Sequence, residues 1–346
     1  MSRLDDALPD SFVSANGLPV GEILVTGGLG FVGSHLVDAL LAAGRSVHVL
    51  DDLSSGSPDN LRQWRSEPRL RISVASAEDP QVAAAACRSA SCVFHLAGAV
   101  GVQLLMTDPL MVIRRNLRCT EVMLEAAAKT RIPILITSSS EVYGQGPVPF
   151  CESDPVLPGV PDELRGGYAC AKAMGEWLAL GYAKRQALPV VVVRLFNVVG
   201  ARQSGAYGMV LPRFLLQATS GRPVTVFGDG TQTRCFAAAT EVAQALIALL
   251  ATRSAHGKII NVGSDREISM RALAELVCAK AASSSPIVLV PFAEMFPTGF
   301  VDPARRVPSL DRLRSVIGWV PERPIEAIVS DLLSLMRVPQ AVVSRD

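Results

Sequence analysis

At 346 residues the chain is longer than one compact core usually runs, which predicts a large α/β domain with a smaller appended lobe. Its 33 basic and 32 acidic residues leave a net charge of +1, so nothing electrostatic points to nucleic acid or an anionic membrane surface as partner. No window reaches the ~18 uninterrupted apolar residues of a membrane span, and seven scattered cysteines without C-x-x-C spacing argue against a disulfide framework and a zinc site. A soluble, cytoplasmic protein without a bound metal is expected.

Residues 1–20 carry Asp5, Asp6 and Asp10 and lack a basic start followed by an apolar run, so they read as a disordered or loosely docked extension. Next, Ile23-Leu24-Val25 leads into Thr26-Gly27-Gly28-Leu29-Gly30-Phe31-Val32-Gly33 and a helical run from Ser34 to Leu41. Strand, glycine turn and helix start together make a pyrophosphate cradle. Gly27 allows the tight turn, Gly30 lets the backbone approach phosphates, Gly33 lets the helix pack on the strand, and free N–H groups face the negative charge. A second strand, Ser46–Leu50, ends on Asp51, where a carboxylate accepts hydrogen bonds from the adenosine ribose hydroxyls. An acid there repels a 2′-phosphate, so NAD is favoured over NADP.

Further strands are predicted at Leu70–Val74, Cys92–Leu96, Ile132–Thr137, Pro189–Leu195 and Lys258–Val262, most separated by helical periodicity. That alternation predicts a Rossmann-type, doubly wound parallel sheet, and the unbroken Val190–Val193 run suits a strand buried on both faces. Past Phe196 the texture changes to Gly-, Pro- and Arg-rich stretches flanking a helix-like Glu241–Ala251. The expected organisation is an extension over 1–20, a dinucleotide-binding domain over 21–195 rejoined by 236–262, and a smaller C-terminal substrate lobe from 196–235 and 263–346.

Two polar clusters interrupt this apolar frame. Tyr168 and Lys172 stand four apart, on one helix face, where the ammonium and a positive nicotinamide would lower the tyrosine pKa from ~10 toward working pH. Tyr168 then takes a proton from an alcohol as hydride leaves the same carbon. Thr137-Ser138-Ser139-Ser140-Glu141 ends a parallel strand, where such sheets bind ligands, and a hydroxyl there shares the proton with Tyr168. Ser138 is expected only to cap the following turn.

These motifs together resemble the extended short-chain dehydrogenase/reductases, specifically the NAD-dependent nucleotide-sugar epimerase/dehydratase group, from about Glu22 to Ile328. The resemblance implies that Gly27, Gly30, Phe31, Val32, Gly33, Asp51 and Asp52 hold NAD with Leu96, Ala97, Gly98, Tyr168 and Lys172, and that His95 lines the same cleft. It implies catalytic roles for Ser139, Ser140, Glu141, Tyr168 and Lys172, and structural support from Asn116. Asn197, Arg202, Arg234 and Arg306 fall on substrate positions, with charge-assisted donors suited to a nucleotide diphosphate; Phe227, read from its own stretch, either offers its face to a base or belongs to the core. A homodimer through the helices around Pro109–Thr130 and Gly167–Gln186 is implied as well.

Some positions depart from that pattern. Ala75-Ser76 replaces a Gly-Asp pair, so an adenine contact is lost or passes to Asp79, and Ser309 replaces a common Asp. Cys119 stands where glycine is usual and Cys235 where aspartate is usual.

Transient oxidation at sugar C4 is the step these relatives share. Ser140 in place of an acid counts against dehydration. Ser-Glu at 140–141 and Gly299-Phe300-Val301-Asp302 resemble UDP-glucuronate decarboxylases, whereas the stretch from Tyr207 to Phe214 resembles epimerases. Family frequency puts a UDP-sugar 4-epimerase narrowly first, a decarboxylase second and a 4,6-dehydratase third. Outside catalysis, the alternative is a regulator sensing NAD or a nucleotide sugar, which has no use for a proton relay.

Overall fold

The computed structural model describes residues 17–157, 159, 164–205, 208–295 and 303–337. Strands β1 (Glu22–Thr26), β2 (Val47–Asp51), β3 (Leu70–Val74), β4 (Ala90–His95), β5 (Ile134–Ser139) and β6 (Val190–Leu195) join the Lys258–Val262 strand in one seven-stranded sheet. All neighbours run parallel, in the order Lys258–Val262, β6, β5, β4, β1, β2, β3. The chain winds outward from β1 to β3, then crosses back to place β4 on the other side of β1. That reversal opens a crevice beyond the carboxyl ends of β1 and β4, where Thr26 is level with His95.

Helices α1 (Phe31–Ala42), α2 (Pro80–Ser89), α3 (Val102–Thr107), α4 (Pro109–Thr130), α5 (Leu164–Gln186), α6 (Val210–Thr219), α7 (Ala239–Ala251) and α8 (Met270–Ala281) complete the main architecture. One sheet face is covered by α1 and α7, with Leu36, Leu40, Leu246 and Leu249 buried against Val25, Val49 and Val193. On the other face lie α2, α4 and α5, through Ala83, Val122, Met123 and Ala179. Burying both faces demands the continuous apolar strands that the sequence shows.

A third apolar cluster is separate from the sheet. Phe214 and Leu215 of α6 meet Val224 and Val226, Leu273 and Val277 of α8, and Ile328, Val329 and Leu333 of the Ile325–Arg337 helix. Here Val224–Phe227 pairs with Ile287–Val290, and Thr233–Cys235 pairs with both Glu267–Ser269 and Arg305–Arg306.

The expected loose extension is corrected at its end. Leu18 is fully buried in the first cluster, and the Pro19 carbonyl accepts a hydrogen bond from Arg45. Leu18 and Pro19 are therefore held by burial and by this hydrogen bond, while 1–16 lie outside the described residues. Among the described residues no helix is long and apolar enough to cross a membrane.

Candidate active site

The crevice opens into a cavity of about 1110 Å³ that runs from the glycine turn to the third cluster. Gly27 has φ +71°, and a Cβ there would lie 2.8 Å from the Ala97 nitrogen. A Cβ on Gly33 would lie 2.1 Å from the Gly27 carbonyl oxygen. Only glycine fits either place. Gly30, Phe31 and Val32 line the same wall.

Asp51, at the end of β2, serves the turn as well as the cavity. Its Oδ2 accepts from the Leu29 N–H at 3.0 Å and its Oδ1 from the Leu53 N–H at 2.9 Å. Each carboxylate oxygen has a second lone pair to offer a ligand. Asp52 forms an ion pair with Arg115 of α4, and both side chains line the cavity.

At this end one alternative drops out and one expectation is corrected. Asp79 does not reach the cavity: it caps α2, accepting from the Gln81 and Val82 N–H groups, and Ala75, Ser76 and Glu78 line the wall instead. Preceding Pro80, it sits where a carboxylate satisfies the open N–H groups of a helix start. His95 does not line the cleft, although Leu96, Ala97 and Gly98 do. Its Nδ1 lies 2.7 Å from the Thr26 hydroxyl and its Nε2 3.4 Å from that of Thr120. Burial, helped by the charge of Lys172, pushes the imidazole down to about 3, so the ring is neutral.

Ser139 ends β5, Ser140 and Glu141 begin the 3₁₀ turn Ser140–Tyr143, and Tyr168 and Lys172 project from α5 into the same region. The Tyr168 phenol is hydrogen-bonded to Ser139. Lys172 Nζ donates to the Thr137 carbonyl at 3.0 Å and stands 6.0 Å from the Tyr168 ring centre. Gly98 leaves room for this arrangement, since a Cβ would fall 2.6 Å from Asn116 Oδ1 and 3.5 Å from Lys172 Nζ. Asn116 braces the strand end by donating to the Ala99 and Val112 carbonyls, both at 2.8 Å.

The expected lowering of the Tyr168 pKa is reversed in the protein alone. Burial pushes the phenol above its ordinary value, the Ser139 hydrogen bond opposes this, and the nearby Glu141 charge adds to it. The ammonium acts on Thr137 rather than on the phenol oxygen, and burial lowers its own pKa. Ser138 is corrected too. Rather than capping a turn, it donates to Glu176 at 2.6 Å, and Glu176 is paired with Arg194 at 2.7 Å in the interior.

All five expected substrate residues, Asn197, Arg202, Phe227, Arg234 and Arg306, line the cavity. Strand pairing sets Arg306 level with Arg234. Arg306 Nη1 lies 2.6 Å from Glu141 Oε1, the two side chains being 7% and 19% exposed. Arg202, in contrast, is engaged by Asp38 of α1, a carboxylate that also takes the Trp64 indole N–H at 2.8 Å. Asn197 donates to the Cys235 carbonyl at 3.1 Å. Tyr207 and Gly299–Asp302 lie outside the described residues.

Arg213 is a further cation at the site, outside the residues expected from the sequence. It lines the cavity from α6, its guanidinium 3.8 Å from the centre of the Phe227 ring. The available signal was a single cation between Leu211 and Phe214, both buried, in an otherwise apolar stretch.

Residues 23–263 match the model of the NAD dependent epimerase/dehydratase family. The chain belongs to this family. It is 37% identical over 300 residues to the UDP-N-acetyl-alpha-D-glucosaminuronate decarboxylase of Bacillus cytotoxicus, covering 86% of this chain and 92% of that one. It is 32% identical over 303 residues to UDP-glucuronic acid decarboxylase 6 of Arabidopsis thaliana, covering 87% and 84%. Among solved structures it is similar to the UDP-N-acetylglucosamine 4-epimerase of Methanobrevibacter ruminantium, with TM-score 0.82, 29% identity and coverage of 91% and 98%. The UDP-glucose 4-epimerase of Thermotoga maritima gives TM-score 0.82, 26% identity and the same coverage.

This epimerase/dehydratase-family enzyme uses NAD. The residues present fit that cofactor: the turn leaves space that any Cβ at Gly27 or Gly33 would fill, and a carboxylate stands at the end of β2.

Proposed function

We propose that this enzyme decarboxylates a UDP-linked hexuronic acid by transient oxidation at sugar C4. NAD, held at the glycine turn and Asp51, would supply the hydride-accepting and hydride-donating chemistry at C4. The lobe formed by 196–235 and 263–346 holds the nucleotide, and Arg234 supplies a cation for its diphosphate.

In this reading Tyr168 removes the C4 hydroxyl proton through the Ser139 hydroxyl to which it is bonded. Lys172, tethered to the Thr137 carbonyl, is the fixed positive charge on that side of the site. Once C4 is a ketone, the C5–C6 bond can break. Its electron pair passes into the enolate of the ketone, carbon dioxide leaves, C5 takes up a proton, and C4 is reduced again.

The observation that carries this reading is the Glu141–Arg306 pair at 2.6 Å, close enough to Tyr168 to raise its pKa. Arg306 offers a uronate carboxylate a guanidinium fork, and the like charge of Glu141 disfavours the carboxylate relative to neutral carbon dioxide. Ser140, where dehydration needs an acid, supplies no proton to a departing C6 hydroxyl.

The two decarboxylase relatives support the same order, so the narrow preference for an epimerase drawn from family frequency gives way. Epimerisation is the second reading, favoured by the solved epimerases, while the Ser139–Tyr168 relay serves either reaction.

Incubation with UDP-glucuronate, UDP-N-acetylglucosaminuronate, UDP-glucose and UDP-N-acetylglucosamine, followed by mass spectrometry, tests the assignment. Loss of carbon dioxide from a uronate is expected. An isomer of unchanged mass would replace this reading by epimerisation.

We further propose a homodimer through the outer faces of α4 and α5. Trp177 is 62% exposed and Leu110 63%, large apolar surfaces that a partner copy would cover.

A further inference from the structure

In the part of the cavity lined by α6, Arg213 makes an unusual set of contacts. Its guanidinium lies 3.8 Å from the centre of the Phe227 ring and 5.4 Å from that of Phe214. With the described residues it makes one hydrogen bond, from Nη1 to the Thr225 hydroxyl at 3.4 Å, and it pairs with no carboxylate among them. Nε is buried without a partner. Burial alone pushes the group down to about 10, which leaves it charged at neutral pH.

The side chains around it are hydrogen-bonded to the backbone and to one another. Gln217 of α6 donates to the Thr225 hydroxyl at 2.9 Å and accepts from the Thr225 N–H at 3.1 Å, while Gln232 donates to the Phe227 carbonyl at 2.7 Å. Phe292 stands against Gly228, where a Cβ would come within 2.5 Å of its ring. A partly desolvated cation between aromatic rings is costly unless something accepts its hydrogen bonds. Arg234, on the neighbouring small sheet, is the cation assigned to the diphosphate, and Arg306 beside it reaches Glu141, so Arg213 is left for another part of the nucleotide.

We infer that Arg213, held over the Phe227 ring, reads the substrate's base by donating to the C4 keto oxygen of a 2,4-dioxopyrimidine. A guanidinium has five N–H groups, and with one of them on Thr225 it has donors left that a carbonyl oxygen can accept from. Cytosine presents an amino group at C4, so donor would meet donor and both would be left unsatisfied. The residue thus sets base selectivity rather than affinity in general. This inference rests on the nucleotide-sugar reading above and deepens it.

UDP and CDP differ only in the base, so calorimetric titration of the NAD-loaded protein with each isolates the effect. The wild type is expected to bind UDP about 10–100-fold more tightly than CDP, the span of one charge-assisted hydrogen bond. Arg213→Met keeps an apolar stem against Phe227 but removes every donor, and is expected to lose that preference mainly by weakening UDP. Arg213→Gln retains one amide donor and should keep part of it, and unchanged thermal melting of both variants shows that they fold. A UDP-to-CDP ratio left unchanged by Arg213→Met, equal weakening of both nucleotides, or no uracil preference in the wild type would each overturn the inference. Retained uracil preference in a protein that releases no carbon dioxide from a UDP-hexuronate would instead overturn only the proposed reaction.

Discussion

Glu141 and Arg306, 165 residues apart in sequence, meet at 2.6 Å and join the turn after β5 to the Arg305–Arg306 strand. Neither charge is well hydrated, so each depends on the other. Arg306→Met is expected to cost about 1–3 kcal/mol, less than for a fully buried pair because Glu141 keeps some access to water. Adding Glu141→Gln should restore part of that loss, which urea unfolding of the single and double variants measures. In steady-state kinetics Arg306→Met should raise KM for a UDP-hexuronate by removing a binding cation.

Tyr168→Phe removes the phenol that Ser139 contacts and little else. Turnover is expected to fall by about 10²–10⁴ while NAD stays bound. Near-normal activity, with cofactor content measured on the same sample, would remove Tyr168 from the acid–base role.

His95 predicts an acid-sensitive fold. Its imidazole is held at about 3 when folded against an ordinary 6.5, so across that window the unfolded chain binds a proton that the folded chain does not. The stability it contributes is therefore complete above 6.5 and is lost as the pH falls toward 3, at up to about 1.4 kcal/mol per pH unit. His95→Gln should flatten the dependence of the urea midpoint on pH over that range. An unchanged slope would assign acid lability to the carboxylates instead.

Trp177→Glu places a charge in the proposed dimer face. Sedimentation velocity should show the wild type as a dimer and the variant shifted toward monomer. A dimer that survives the substitution would place the interface elsewhere.

Much of the frame was legible before any fold was known. Leu70–Val74 and Lys258–Val262 are strands with the expected bounds. The strand around Cys92 begins earlier, at Ala90, because Glu22 pairs with Ala90 across a register shift beside β1. Spacing also brought Tyr168 and Lys172 to the cavity correctly. It misjudged the ammonium's target, because a four-residue spacing fixes which helix face two side chains share and says nothing of the Thr137 carbonyl beneath them.

From the sequence alone came the periodicities and the glycines: local steric rules decide where a chain bends, which faces are apolar, and hence that a parallel sheet cradles a dinucleotide. Tertiary structure alone decided that Arg306 answers Glu141, that Arg202 is engaged by Asp38, and that Arg213 lies on Phe227. Charge pairing and desolvation depend on distances between residues remote in the chain, and those distances exist only once the sheet and the small lobe have closed on the same cavity.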